Sequence, residues 1–171
     1  MPTTYWQMTL HREAWRGDLQ APPGVRVRCL SGKDDLRAVA HLYGTAFGDS
    51  PWSPTWTEFP GFDPEGVFLA QADDELVAFV VSYVRPNAPD QGYISVVATL
   101  PSHRRRGIAA ALVHCALDRF WRLGYTAVSL DVRADNVPAQ RLYESAGFRH
   151  VGEFVADEHC RRMPDPQLPA V

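Results

Sequence analysis

The segment Leu100-Pro101-Ser102-His103-Arg104-Arg105-Arg106-Gly107-Ile108-Ala109-Ala110-Ala111 joins an apolar run, Gly92 to Leu100, to an apolar helical pattern that reaches about Leu123. A strand that feeds a helix through one short basic turn commits this part of the chain to a mixed α/β arrangement. The turn's composition also says what can sit there. Peptide N–H groups in a helix's first turn lack intrahelical partners, and the helix dipole adds partial positive charge. Gly107, Ala109 and Ala110 keep bulk away, so a phosphate can reach the backbone. Neither G-x-x-x-x-G-K-[ST] nor a G-x-G-x-x-G after a strand occurs, which excludes two common phosphate loops. A solvated basic patch or a nucleic-acid contact is the competing reading of Arg104-Arg105-Arg106.

About thirty residues downstream stands Asn136-Val137-Pro138-Ala139-Gln140-Arg141-Leu142-Tyr143-Glu144-Ser145-Ala146-Gly147-Phe148. It reads as one short helix. Asp135 or Asn136 can cap it, Pro138 suits its first turn, and Gly147 supplies a left-handed terminal residue. Ala139, Leu142, Tyr143 and Ala146 recur at helical spacing and form its buried face. Tyr143 is then either a core tyrosine with a satisfied hydroxyl or an inward-facing acid.

The two segments together resemble the signatures of the GNAT superfamily of acyl-CoA N-acyltransferases. Arg104-x-x-Gly107-x-Ala109 matches its R/Q-x-x-G-x-G/A loop, and Asn136 to Phe148 matches N-x-x-A-x-x-x-Y-x-x-x-G-F. The resemblance implies a loop that holds the pyrophosphate of acetyl-CoA, through Arg104, Arg105, Arg106, Gly107, Ile108, Ala109 and Ala110. It implies that Val97 and Thr99, two residues apart on one side of a strand, pair with the pantetheine arm. Asn136 becomes a cofactor contact, and Tyr143 the general acid to the departing thiolate. The implied reaction passes an acetyl group directly to a primary amine in a ternary complex, with the thioester oxygen polarised by the Val97 N–H.

The strand and helix signals follow an order that suits this fold. Val25–Leu30 alternates as a first core strand, and Ser31-x-x-Asp34 resembles a capping box before a helix bearing Leu36, Val39, Ala40, Tyr43 and Phe47. Residues 67–72 and 76–84 form a hairpin, followed by strands at 93–100 and 127–132 and a terminal hairpin at 148–155 and 159–163. The fold class is α/β (α+β): a mixed, mostly antiparallel sheet of six to seven strands, with strands 93–100 and 127–132 splayed, and three to four flanking helices. Residues 1–24 read as an N-terminal extension able to add an edge strand, 25–163 as one domain and 164–171 as a tail.

Composition narrows the partners. A chain of 171 residues with net charge −3 is not a dedicated nucleic-acid binder, despite its three adjacent arginines. Cys29, Cys115 and Cys160 show no disulfide or zinc spacing, which points to a reducing cytoplasm and to no metal. No apolar run approaches the roughly 18 residues of a membrane span, and no signal peptide opens the chain. The implied partner is a small-molecule or peptide amine, with no nucleic acid and no membrane; self-association into a homodimer stays open.

A lysine-like amine is neutral only about once in 2,500 molecules at pH 7, a deficit of roughly 4.6 kcal/mol. Many relatives lift it with a carboxylate on or near strand 93–100, and this strand contains none. Asp131, Glu58, Asp49 and His41 are the available alternatives, each equally readable as a surface or helix-face residue. Trp52, Trp56 and Phe59 can line the amine pocket or merely pack their loop onto the domain. Two rivals remain: a non-catalytic acyl-CoA-binding module, and a basic-loop domain that binds nucleic acid or protein.

Overall fold

A computed structural model describes residues 1–17, 19–48 and 61–157. Seven strands are formed: β1 Thr3–His11, β2 Val25–Cys29, β3 Val67–Ala72, β4 Glu75–Val84, β5 Gly92–Thr99, β6 Ala127–Arg133 and β7 Arg149–Ala156. Three α-helices accompany them, α1 Lys33–Phe47, α2 Ile108–Arg122 and α3 Val137–Ala146. The strands make one sheet in the order β2-β3-β4-β5-β6-β1-β7. Every neighbouring pair is antiparallel except β5 and β6, which run parallel because α2 crosses between them.

The core has two layers, one on each face of the sheet. Met8, Leu10, Ile94, Leu112, Leu117, Phe120, Leu130 and Tyr143 share one cluster, so α2 and α3 cover that face. Val39, Leu42, Leu69, Phe79 and Ala98 make the second, under α1. Gly92 is fixed by the first layer: a Cβ there would meet the Phe120 ring at 2.6 Å. The ring packs directly on the strand, and a methyl group would be overpacking worth about 1–3 kcal/mol.

Three expectations are corrected. The extension's strand is not at an edge: β1 lies inside the sheet, paired with β6 over Tyr5–His11 and with β7 over Thr3–Thr9. Its residues Met8 and Leu10 are wholly buried, so the strand is needed to close the core. Beyond it, Trp15 packs against His114 and Trp121 of α2 at 6.2 and 6.1 Å between ring centroids, so the extension straps that helix. The α1 cap is Gly32, and the Ser31 N–H and hydroxyl donate to Asp35 at 2.8 and 2.9 Å, because Arg28 on β2 draws that carboxylate in. Phe47 is 48% exposed, its ring tilted against Tyr43 at the helix end, and Leu42 takes the buried position. The strand expected at 159–163 lies outside the described residues; β7 pairs with β1.

Candidate functional site

The site grows out of an irregularity in β5. Along β4 the register slips between Val81 and Ser82, so that Val81 faces Val96 while Ser82 faces Ile94, leaving Ser95 as an extra, exposed residue. Such a bulge bends its strand. Pairing of β5 with β6 accordingly stops after Gly92, Tyr93 and Ile94 opposite Val128, Ser129 and Leu130, whereas pairing with β4 continues to Thr99. A wedge-shaped gap opens between the two parallel strands.

Main-chain groups line that gap. The Leu100 N–H donates to the Val77 carbonyl of β4 at 2.8 Å. Because these groups alternate in direction along a strand, Ala98 also turns toward β4, and Val97 and Thr99 turn toward the gap. The Thr99 carbonyl accepts from Nε of Arg104 at 3.2 Å, and a terminal nitrogen of the same guanidinium donates to the Ala46 carbonyl, also at 3.2 Å. Arg104 therefore braces the turn against the C-terminal end of α1, where a cation complements the helix dipole. The residue remains exposed beside the turn.

The turn after β5 exposes a row of donors. His103 and Arg104 spend their N–H groups on Leu100 and Pro101, and the helical ladder resumes with Ala111 N–H to Gly107 O at 3.1 Å. Among the described residues the N–H groups of Arg105, Arg106, Gly107, Ile108, Ala109 and Ala110 meet no acceptor. Arg105 at φ 61° and Gly107 at φ 79° supply the left-handed residues that let the chain curl its amides inward. Ile108 is buried and anchors the helix start, while Ala109 and Ala110 are partly exposed and leave its surface low. Pro22 of the strap stands beside the turn, 3.8 Å from where a Gly107 Cβ would lie.

On the same face, α3 is built as its sequence proposes. Asn136 caps it by accepting from the Ala139 N–H at 3.3 Å, and Gly147 ends it at φ 103°. Gln140 donates from Nε2 to the carbonyls of Arg133 and Ala134, which pins the helix to the end of β6. Tyr143 is buried, edge-on to Phe148, and its hydroxyl meets no partner among the described residues. Burial alone pushes its pKa up to about 12.

The opposite face of the same wedge carries a polar cluster that sequence reasoning did not assemble. Tyr93 of β5 donates its hydroxyl to Asp131 of β6 at 3.0 Å, and the Arg85 guanidinium lies over the Tyr93 ring at 4.1 Å. Arg85 also approaches Asp131 at 3.9 Å and donates to Ser129 at 3.4 Å. Burial first, then the Asp131 charge, pushes the Tyr93 pKa far up, so this phenol stays protonated. The one sequence signal was Asp131 itself, an acid between the buried Leu130 and Val132. His41 is elsewhere, in a cleft of about 530 Å³ between α1 and the adjoining ends of β4 and β5. Trp52, Trp56, Phe59, Asp49 and Glu58 lie outside the described residues.

Among the described residues no group of three or more His, Cys, Asp or Glu side chains could hold a metal, and no helix is long and apolar enough to cross a membrane. Residues 36–148 match the profile of the acetyltransferase (GNAT) family. The chain is 35% identical over 139 residues to a mycothiol acetyltransferase of Thermomonospora curvata, covering 77% of this chain and 46% of that protein. It is 36% identical over 142 residues to the Brachybacterium faecium protein of the same name, covering 77% and 43%. It thus spans a little under half the length of these curated relatives. A GCN5-related N-acetyltransferase from Sphaerobacter thermophilus superposes with a TM-score of 0.77 at 27% identity, over 91% of this chain and 51% of that one. The ribosomal-protein-S18-alanine N-acetyltransferase of Escherichia coli shares the fold at a TM-score of 0.64 and 23% identity, over 84% and 98%.

Proposed function

The chain belongs to the acetyltransferase (GNAT) family, and from that premise we propose that it transfers an acetyl group from acetyl-CoA to a primary amine in a ternary complex. The observation that carries this reading is the run of six N–H groups, Arg105 to Ala110, that meet no acceptor among the described residues at the start of α2. They suit a diphosphate, with the exposed Arg105 and Arg106 adding charge. The Val97 and Thr99 main-chain groups suit an extended arm lying in the wedge, and Asn136, just beyond the end of β6, would be a further cofactor contact. The curated relatives' name supports a small-molecule amine as acceptor, and a peptide amine is the alternative.

Bound acetyl-CoA supplies an acyl thioester whose sulfur leaves as a thiolate. In this reading the Val97 N–H polarises the thioester oxygen from inside the wedge, where a preorganised dipole is worth far more than in water. Tyr143 hands its proton to the sulfur. With a pKa of about 12 that transfer is uphill by roughly 5 kcal/mol to a thiolate of ordinary basicity. The same dry surroundings that raise the phenol also disfavour the thiolate, which closes much of the gap. Both cysteines within the described residues stand outside this geometry, Cys29 exposed on β2 and Cys115 on α2 with its thiol pushed up by burial. The reaction needs no cysteine nucleophile.

The test is calorimetry with CoA and acetyl-CoA, followed by release of free thiol across a panel of primary amines. Binding with turnover is the expected result. Binding with no turnover on any amine favours an acyl-CoA-binding module, and no binding of either cofactor overturns the reading.

A further inference from the structure

The polar cluster opposite Tyr143 has no role in holding the donor, and its position gives it another. Asp131 is the first residue of β6 beyond the last rung shared with β5, so it stands where the wedge begins to open. Val128, Leu130 and Val132 point into the layer that contains Tyr143, and alternation sends Asp131 to the other face. A thioester in the wedge is thus flanked by a proton donor on one face and by a carboxylate on the other.

Resting on the acetyltransferase reading, we propose that Asp131 binds the acceptor's ammonium group and takes its first proton, with Tyr93 and Arg85 as the positioning residues that aim the carboxylate. β5 itself carries no carboxylate, and the side chain it turns to this face, Tyr93, passes its hydroxyl to Asp131. A phenol held protonated by burial donates and cannot act as the base, which leaves the carboxylate as the acceptor of protons. Arg85 approaches Asp131 at 3.9 Å. The groups around Asp131 include Arg85 just after β4, Tyr93 from β5, Gln7 in register on β1, and Ser129 two residues back on β6. The Arg85 cation beside Asp131 disfavours acceptors bearing several cations.

The chemistry balances. The ammonium passes one proton to the Asp131 carboxylate, giving a neutral amine and a carboxylic acid. The amine's lone pair forms the N–C bond to the acyl carbon, and the C–S bond breaks with its electron pair on sulfur. Sulfur takes the Tyr143 proton, and the surplus proton on nitrogen returns through solvent to the phenolate.

The test uses acceptors of falling basicity at pH 7: an alkylamine, an α-amino amide, and hydroxylamine, which is already neutral. Asp131→Asn should lower kcat/KM for the alkylamine by about 10²-fold, less for the amide, and hardly at all for hydroxylamine. Asp131→Glu should restore part of the alkylamine rate. Tyr93→Phe, which removes one hydroxyl, should raise KM for the amine about threefold to tenfold with kcat little changed. Acetyl-CoA affinity by calorimetry should be unchanged in all three. Equal losses across the three acceptors, or no loss for the alkylamine, overturn the role of Asp131 while the acetyltransferase reading stands. Failure of the unaltered protein to bind acetyl-CoA removes that reading and this assignment with it.

Discussion

The two sides of the β5–β6 wedge are built by different means. On the α2/α3 side the working groups are local: main-chain amides of one turn, the N-cap of α3, and Tyr143 seven residues after that cap. On the other side they are assembled across the sheet, from Arg85 after β4, Tyr93 on β5, and Ser129 and Asp131 on β6. In the proposed reading the first side would hold a constant object, the cofactor, largely through backbone geometry that substitution scarcely touches. The second would meet the acceptor amine, through side chains that can change one at a time. In this chain the donor half is the general part and the acceptor half the particular one.

The sharpest way to break that division is Tyr143→Phe. The hydroxyl has no structural partner among the described residues, so its loss should leave melting temperature and acetyl-CoA affinity almost unchanged. Turnover should fall by about 10² to 10⁴, the usual worth of a placed proton donor. Because burial raises the pKa to about 12, the phenol keeps its proton across pH 7–10, and the rate should show no alkaline loss there from this group. An unchanged kcat would mean that the donor half binds without taking part in the chemistry.

A smaller effect separates cofactor binding from backbone strain. Gly107 and Gly124 bracket α2 and both hold left-handed backbone, at φ 79° and 92°. Alanine at either costs about 1–2 kcal/mol of strain. Only Gly107 lies among the free amides, so Gly107→Ala should weaken acetyl-CoA about tenfold, while Gly124→Ala lowers stability and leaves affinity alone. Equal affinities in the two variants would show that the turn is not the cradle.

The same contrast explains what could be read from the chain beforehand. The turn at 101–107 and the helix at 137–146 are legible because caps, glycines and helical spacing act within a few residues. The interior place of β1 is not, since its partners β6 and β7 begin more than a hundred residues later and nothing in Tyr5–Leu10 names them. The Arg85–Tyr93–Asp131 cluster is hidden for the same reason: its hydrogen bonds join residues 38 and 44 positions apart. The bulge at Ser95 leaves no mark in the alternation of β5, yet it opens the wedge that makes both halves a site. Arg104 matched a motif, and nothing in that motif signals that its guanidinium also reaches the Ala46 carbonyl at the end of α1.

The smallest effect belongs to a carboxylate outside the wedge, and it serves as the reference for Asp131. Asp35 receives two hydrogen bonds from Arg28 and two from Ser31, and the Arg28 bonds above all hold its pKa far below the ordinary carboxylate range. A folded-state pKa below the unfolded one gives stability that is present above about pH 4 and is lost as pH falls toward the folded value. Asp35→Asn should therefore lower the melting temperature by about 2–4 °C at pH 7, with the deficit shrinking on acidification. It should leave kcat/KM for every amine untouched, because this ion pair ties β2 to α1 and faces no substrate. A loss of turnover in Asp35→Asn graded by amine basicity, like that expected for Asp131→Asn, would show that the two carboxylates do not divide into a structural and a chemical one.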